Sequence, residues 1–141
     1  MRAKTTEPLA VKDYMTAIPV TFTLDTEVFE AIQALVKNEL SGAPVVDLHG
    51  NLVGIFSEQD CIKVGLRAAY HNEWTGRVSE FMVHGVKSID PDMSLVELAE
   101  RFLKEPYRGY PVVKDNRLVG QISRRDVLKA LLRFHAQRES R

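Results

Sequence analysis

The heptapeptide Gly54-Ile55-Phe56-Ser57-Glu58-Gln59-Asp60 constrains this chain most, because the sequence writes it a second time as Gly120-Gln121-Ile122-Ser123-Arg124-Arg125-Asp126. Each copy follows an apolar pair, Leu52-Val53 or Leu118-Val119, and each precedes a helix-like run. A short apolar strand that turns into a helix at a Ser, with Asp three residues on, has a local physical meaning. The Ser is an N-cap, and the Asp falls in the first helical turn. Two such corners imply a duplicated unit with two equivalent places where polar groups meet a helix N-terminus.

The duplication extends well beyond the corner. Val11-Lys12-Asp13-Tyr14-Met15 returns as Val78-Ser79-Glu80-Phe81-Met82, and Gly42-Ala43-Pro44-Val45-Val46 as Gly109-Tyr110-Pro111-Val112-Val113. The turn Asp47–Asn51 is one residue longer than Lys114–Arg117, and turns are where a structural duplication tolerates a length change. Each repeat reads strand, helix, strand, turn, strand, helix. Val20–Thr23 and Val86–Ile89 alternate as strands do. Val28, Ile32, Leu35 and Val36, with Leu95, Ala99, Phe102 and Leu103, form the apolar stripes of two amphipathic helices. Ser94 and Glu97 have the spacing of a capping box. Pro44 and Pro111 are expected at the heads of strands, where a missing N–H is tolerated. The boundaries are an arm over 1–10, a first repeat over 11–69, a connector over 70–77, a second repeat over 78–135 and a tail over 136–141. Neither repeat, at roughly fifty residues, would bury enough apolar surface to be stable alone.

Composition excludes several classes. With 45% hydrophobic and 27% charged residues the chain is neither disordered nor membrane-spanning. Lys plus Arg and Asp plus Glu both number 19, so no net charge favours nucleic acid or an anionic membrane. No leader-like apolar run opens the chain, and Cys61 is its single cysteine, which fits a reducing cytoplasm. His49, His71, His84 and His135 share no metal-ligand spacing, and no nucleophile motif or phosphate loop is present. Neither catalysis nor a metal is expected.

With strand–helix–hairpin–helix written twice and a Gly-x-x-Ser-x-x-Asp corner closing each copy, the chain resembles a tandem pair of cystathionine-β-synthase (CBS) domains, a Bateman module. The resemblance covers about residues 11–135. It implies an α/β fold of two pseudo-twofold related repeats packed as one module, with clefts between them that bind adenine nucleotides, and a homodimer of modules. It assigns Asp126 with Ser123, and Asp60 with Ser57, to ribose and phosphate. It places adenine against Thr16, Ile18, Val20 and Ala43 in the first copy, and against Val83, Val86 and Tyr110 in the second.

The residues leave open whether each Asp binds ribose or reaches back to cap its own helix. The corners also differ in charge. Arg124 and Arg125 stand where the first copy has Glu58 and Gln59, and Arg108 stands where it has Ser41. A phosphate therefore meets more positive charge at the second corner. The expected protein is a non-catalytic regulatory module that binds AMP, ADP, ATP or S-adenosylmethionine and signals to an unidentified partner. The alternative is a structural dimer with no small-molecule ligand. Dimerisation is expected through the apolar closing helices, which carry Val64, Leu66, Ala68 and Ala69, and Val127, Leu128, Leu131, Leu132 and Phe134.

Overall fold

A computed structural model describes residues 9–17 and 20–139. Most of the sequence-expected arm, Ile18 and the last residues of the tail lie outside that range. A short 3-10 turn, Val11–Asp13, opens the chain. Then come β1 (Phe22–Thr23), α1 (Val28–Lys37), β2 (Gly42–Val46), β3 (Leu52–Ser57), α2 (Glu58–His71), α3 (Val78–Phe81), α4 (Leu95–Lys104), β4 (Gly109–Lys114), β5 (Arg117–Ser123) and α5 (Arg124–Glu139).

The described residues form two compact units that are not the two sequence repeats. One, the amino unit, holds 20–86 and 116–118; the other, the carboxyl unit, holds 9–17, 87–115 and 119–139. Each repeat thus lends its opening segment to the unit built on the other repeat's hairpin.

In the amino unit β1 runs parallel to β2 (Phe22 opposite Val45), and β2 runs antiparallel to β3 (Gly42 opposite Ser57, Val45 opposite Gly54). Pro44 stands at the third residue of β2 rather than at its head. It lies one position before the pairing with β1 begins, so an absent N–H leaves no gap in that ladder. Phe56, Val45, Ala43, Ala31, Val28 and Val78 are fully buried, and Phe22 meets Phe56 edge to face at 6.0 Å between ring centres. The opening segment of the second repeat is knitted in by main-chain bonds. Val78 N donates to Thr26 O (2.8 Å), and Ile55 and Val83 exchange both N–H···O bonds (3.0 and 2.9 Å). Gly76 O accepts from Val28 N (3.1 Å), satisfying one orphan donor of α1. The connector is less packed than its aromatic content implies: Trp74 meets Phe29 at 6.4 Å and Arg67 bonds Glu73 at 2.8 Å, but Tyr70 and Trp74 remain mostly exposed at the surface.

The carboxyl unit repeats this plan with less regular strand. β4 and β5 form its hairpin, and the expected strand over Val86–Ile89 is reduced to a parallel bridge between Ile89 and Val112. Here the first repeat's opening supplies the cover. Val11, fully buried, donates to Met93 O (2.9 Å), Leu9 O accepts from Leu95 N (3.0 Å), and Lys12 pairs with Asp92 at 3.0 Å. Ser94 caps α4 through Glu97 N (3.1 Å), as its spacing predicts.

Both amphipathic stripes are displaced from their expected positions. Ala31 and Leu98 are fully buried, whereas Val36 is 73% and Leu103 89% exposed. Each helix has only ten residues, and over so short a run the i+3 and i+4 continuations of a stripe cannot be told apart by periodicity. Of the expected core, Val28, Leu35, Val45, Leu95, Val112 and Ile122 are buried, while Ile32, Val46, Ile55, Phe102 and Val113 are half-buried. In the closing helices Val64, Ala68 and Ala130 turn inward. Leu128, Leu131 and Leu132 remain 56%, 58% and 70% exposed. No described helix is long and apolar enough to cross a membrane.

Candidate functional site

Each unit carries one Ser-x-x-Asp corner at the start of a long helix. In the carboxyl unit Asp126 Oδ2 accepts from Ser123 N (2.9 Å) and Ser123 Oγ (3.1 Å), while Asp126 N donates back to Ser123 Oγ (3.3 Å). In the amino unit Asp60 Oδ2 accepts from Ser57 N (2.8 Å) and Ser57 Oγ (3.0 Å). The first helical N–H at each corner bonds the carbonyl preceding the Gly-x-Pro step, Glu58 N to Ser41 O (2.9 Å) and Arg124 N to Arg108 O (3.0 Å). That bond fixes Ser41 and Arg108 beside the helix starts. It works because Gly42 and Gly109 let the strands approach closely; a Cβ on Gly109 would stand 3.0 Å from Ile122 O.

Both Asp residues therefore cap their helices. Capping engages one oxygen of each carboxylate, and the bonds described for Asp60 and Asp126 all fall on Oδ2. Asp60 Oδ1 is buried without a hydrogen-bond partner, its neighbouring charge being Lys63 Nζ at 3.8 Å. Asp126 is half-buried, whereas Asp60 is 1% exposed. Sequence reasoning missed Lys63, although its i+3 spacing from Asp60 on one helix face was available.

The corners differ in charge as expected. Arg124 Nε donates to Tyr107 O (3.1 Å), tying the segment before Gly109 to the start of α5. Among the described residues none of Arg108, Arg124 and Arg125 enters an ion pair. All three are exposed. The amino unit offers Ser41, Glu58 and Gln59 at the same places.

The grouping of the remaining candidates is corrected by the backbone. Thr16 exchanges both main-chain bonds with Gln121 (2.8 and 3.0 Å) and so joins Ser123 and Asp126, not Asp60. Val83 pairs with Ile55, and Val86 lies in the same unit; both belong with Ser57 and Asp60. Val20 and Ala43 also sit in the amino unit, and Tyr110 in the carboxyl unit. Ile18 lies outside the described residues. The physical cause is the exchange of opening segments, which carries each repeat's first residues onto the other repeat's closing strand. A signal for it was present: Gly54 and Gly120 interrupt strands, and such glycines mark close backbone approach. A Cβ at Gly54 would stand 2.9 Å from Val83 O, and one at Gly120 2.8 Å from Thr16 O.

Ala43 and Tyr110 are fully buried, each in the core of its own unit. The Tyr110 hydroxyl donates to Glu105 Oε1 (2.6 Å), and Glu105 also bonds Lys87 (2.8 Å). Burial, then the Glu105 bond, pushes the Tyr110 phenol up to about 12. Lys87 first, then the Tyr110 hydroxyl, holds Glu105 below the usual carboxylate range. Burial raises the half-buried Cys61 thiol, so it is a packed group rather than a reactive one. No metal-competent cluster of His, Cys, Asp and Glu occurs among the described residues.

Duplicated hairpins closed by capped Ser-x-x-Asp corners, with exchanged openings, define a paired α/β repeat module. The CBS domain family model matches residues 11–67 and again 78–133, and the chain belongs to that family. It is 28% identical to the uncharacterized protein MJ1426 of Methanocaldococcus jannaschii, over 89% of this chain and 93% of that one. Of some longer curated relatives the chain spans 22%. Two solved structures are similar. CBSX2 in complex with AMP has a TM-score of 0.77 at 26% identity, covering 89% of this chain and 98% of that one. The CBS domain pair of protein MJ0100 in complex with 5'-methylthioadenosine and S-adenosyl-L-methionine has a TM-score of 0.73 at 30% identity, covering 88% and 96%.

Proposed function

We propose that this chain is a non-catalytic regulatory module that binds an adenosine-containing ligand at its Ser-x-x-Asp corners and transmits its occupancy to a protein partner. The observation that carries the reading is the division of labour within each carboxylate. Oδ2 caps the helix, so Oδ1 can accept from a ribose hydroxyl without the cap being broken. The similar CBS pairs bound to AMP, and to 5'-methylthioadenosine with S-adenosyl-L-methionine, support the ligand class. Asp126, Ser123, Arg108 and Arg124 form the stronger site for a phosphorylated ligand. The α5 N-terminus adds its own attraction for an anion there. Signalling requires the ligand to bind two arrangements of the protein unequally.

Calorimetric titration of AMP, ADP, ATP and S-adenosylmethionine tests the proposal. Asp126→Ala weakens the phosphorylated ligands about ten- to a hundredfold, the effect of losing a charge-assisted hydrogen bond. Ligand at about 100 times its dissociation constant stabilises the protein by about 2.7 kcal/mol. Failure of all four ligands to bind refutes the reading.

One observation favours a second reading. Leu128, Leu131 and Leu132 stay more than half exposed on α5, with Phe134 at 36%. A homodimer covers that row, and a dimer that binds no nucleotide would be a scaffold. Light scattering at micromolar concentration measures the mass, and a monomer rules the dimer out.

A further inference from the structure

The two corners share geometry but not charge or burial, and the difference points to different ligands. In the first turn of α2 stand two acids, Glu58 and Asp60. In the first turn of α5 stand Arg124 and Arg125 with the single acid Asp126, and Arg108 is held beside them by the Arg124 N–H. Lys63 balances Asp60 at 3.8 Å, which leaves Glu58 uncompensated and no surplus cation for a phosphate. Meanwhile Asp60 Oδ1 is fully buried and lacks a donor. A buried carboxylate oxygen without a donor is an acceptor already stripped of water, and a ligand hydroxyl supplies what it lacks. The Lys63 side chain beside it is 65% exposed and can swing aside as a hydroxyl enters.

We infer that the corners divide adenosine derivatives by charge, Asp126 taking the phosphorylated ones and Asp60 an adenosine derivative without phosphate. This rests on the reading of the corners as adenosine sites. A phosphate at the Asp60 corner meets the uncompensated Glu58 carboxylate, whereas an uncharged thioether or a sulfonium meets no such opposition. At the Asp126 corner three guanidiniums outside any described ion pair favour the phosphate and contribute nothing to a neutral 5' group.

The test titrates the whole chain with AMP and with 5'-methylthioadenosine, separately and in competition. The inference expects each ligand to bind while the other is saturating. Asp126→Asn weakens AMP, and Asp60→Asn weakens methylthioadenosine, each about tenfold or more. Asp60 is buried, so its variant is checked for a cooperative melt. Glu58→Arg keeps Asp60 and gives an independent readout, admitting a second equivalent of AMP per chain. The division is overturned if methylthioadenosine fails to bind, competes with AMP for one site, or depends on Asp126. It is equally overturned if Glu58→Arg leaves the AMP stoichiometry unchanged. If AMP and methylthioadenosine both fail to bind, the adenosine reading falls and the division with it; AMP binding alone refutes only the division.

Discussion

Substituting Gly120 by Ala and Gly65 by Ala should move stability in opposite directions, although the chemical change is the same. Gly120 lies in β5 where the first repeat's opening crosses, and a Cβ there would sit 2.6 Å from Met15 Sδ and 2.8 Å from Thr16 O. The sulfur can yield, being the end of a flexible side chain. The carbonyl cannot yield cheaply, because Thr16 and Gln121 hold each other by two main-chain bonds. Overpacking of this kind costs about 1–3 kcal/mol. The upper half applies if the Thr16 bonds break, at about 1 kcal/mol each. Gly65 sits inside α2 with nothing within 4 Å of its added Cβ. Ala there gains about 0.5–1 kcal/mol from helix propensity alone. An entropy of unfolding of about 2.1 cal/mol/K per residue makes 1 kcal/mol worth about 3 °C in a chain of this length. Gly120→Ala should therefore melt about 3–10 °C low and Gly65→Ala a few degrees high, read by circular dichroism and confirmed by urea unfolding. Adding Met15→Ala to Gly120→Ala removes the sulfur clash but not the carbonyl, so the double-mutant cycle shows partial rescue. A Gly120→Ala protein within about 0.5 kcal/mol of wild type would refute the crossing and the exchange of segments built on it.

Leu98→Ala should cost about 2–5 kcal/mol because Leu98 is fully buried, whereas the half-buried Phe102 should cost less than the about 3–5 kcal/mol of a core Phe. Urea unfolding of the two variants checks the order, and the reverse order would put α4 in the wrong register. Tyr110 keeps its proton more tightly folded than unfolded, so its contribution is present below pH 10 and lost as pH rises towards about 12. Melting temperatures from pH 8 to 12 should fall more steeply for wild type than for Tyr110→Phe, and parallel curves would contradict the buried Glu105 bond.

What the sequence could convey depended on whether the determinant was local. The corners were readable because an N-cap Ser and its N3 Asp act within one turn, and both caps form at hydrogen-bond distance. The hairpins were readable because Gly-x-Pro and the following turn punctuate them. The helix faces were shifted because a ten-residue helix samples its period fewer than three times, so Leu98 and Leu103 compete for one stripe on equal terms. Burial, not period, separates them.

Which opening meets which corner is a different kind of problem. Duplication makes Val11–Thr16 and Val78–Val83 near-equivalents, so a pairing with the parent corner or with the other one satisfies local patterning equally. The choice is made by main-chain bonds between residues far apart in sequence, Thr16 with Gln121 and Ile55 with Val83. The strand glycines permit that choice without dictating it. The exchange has a consequence for how the corners can act. Each Ser-x-x-Asp pair is held in one unit with the opening of the other sequence repeat, so a ligand touching Asp126 and Thr16 bonds both repeats within a single compact body. At the Asp126 corner main-chain bonds join chain segments more than a hundred residues apart, Thr16 and Gln121, and at the Asp60 corner they join Ile55 and Val83. The exchange thus ties the two repeats together inside each unit through main-chain hydrogen bonds.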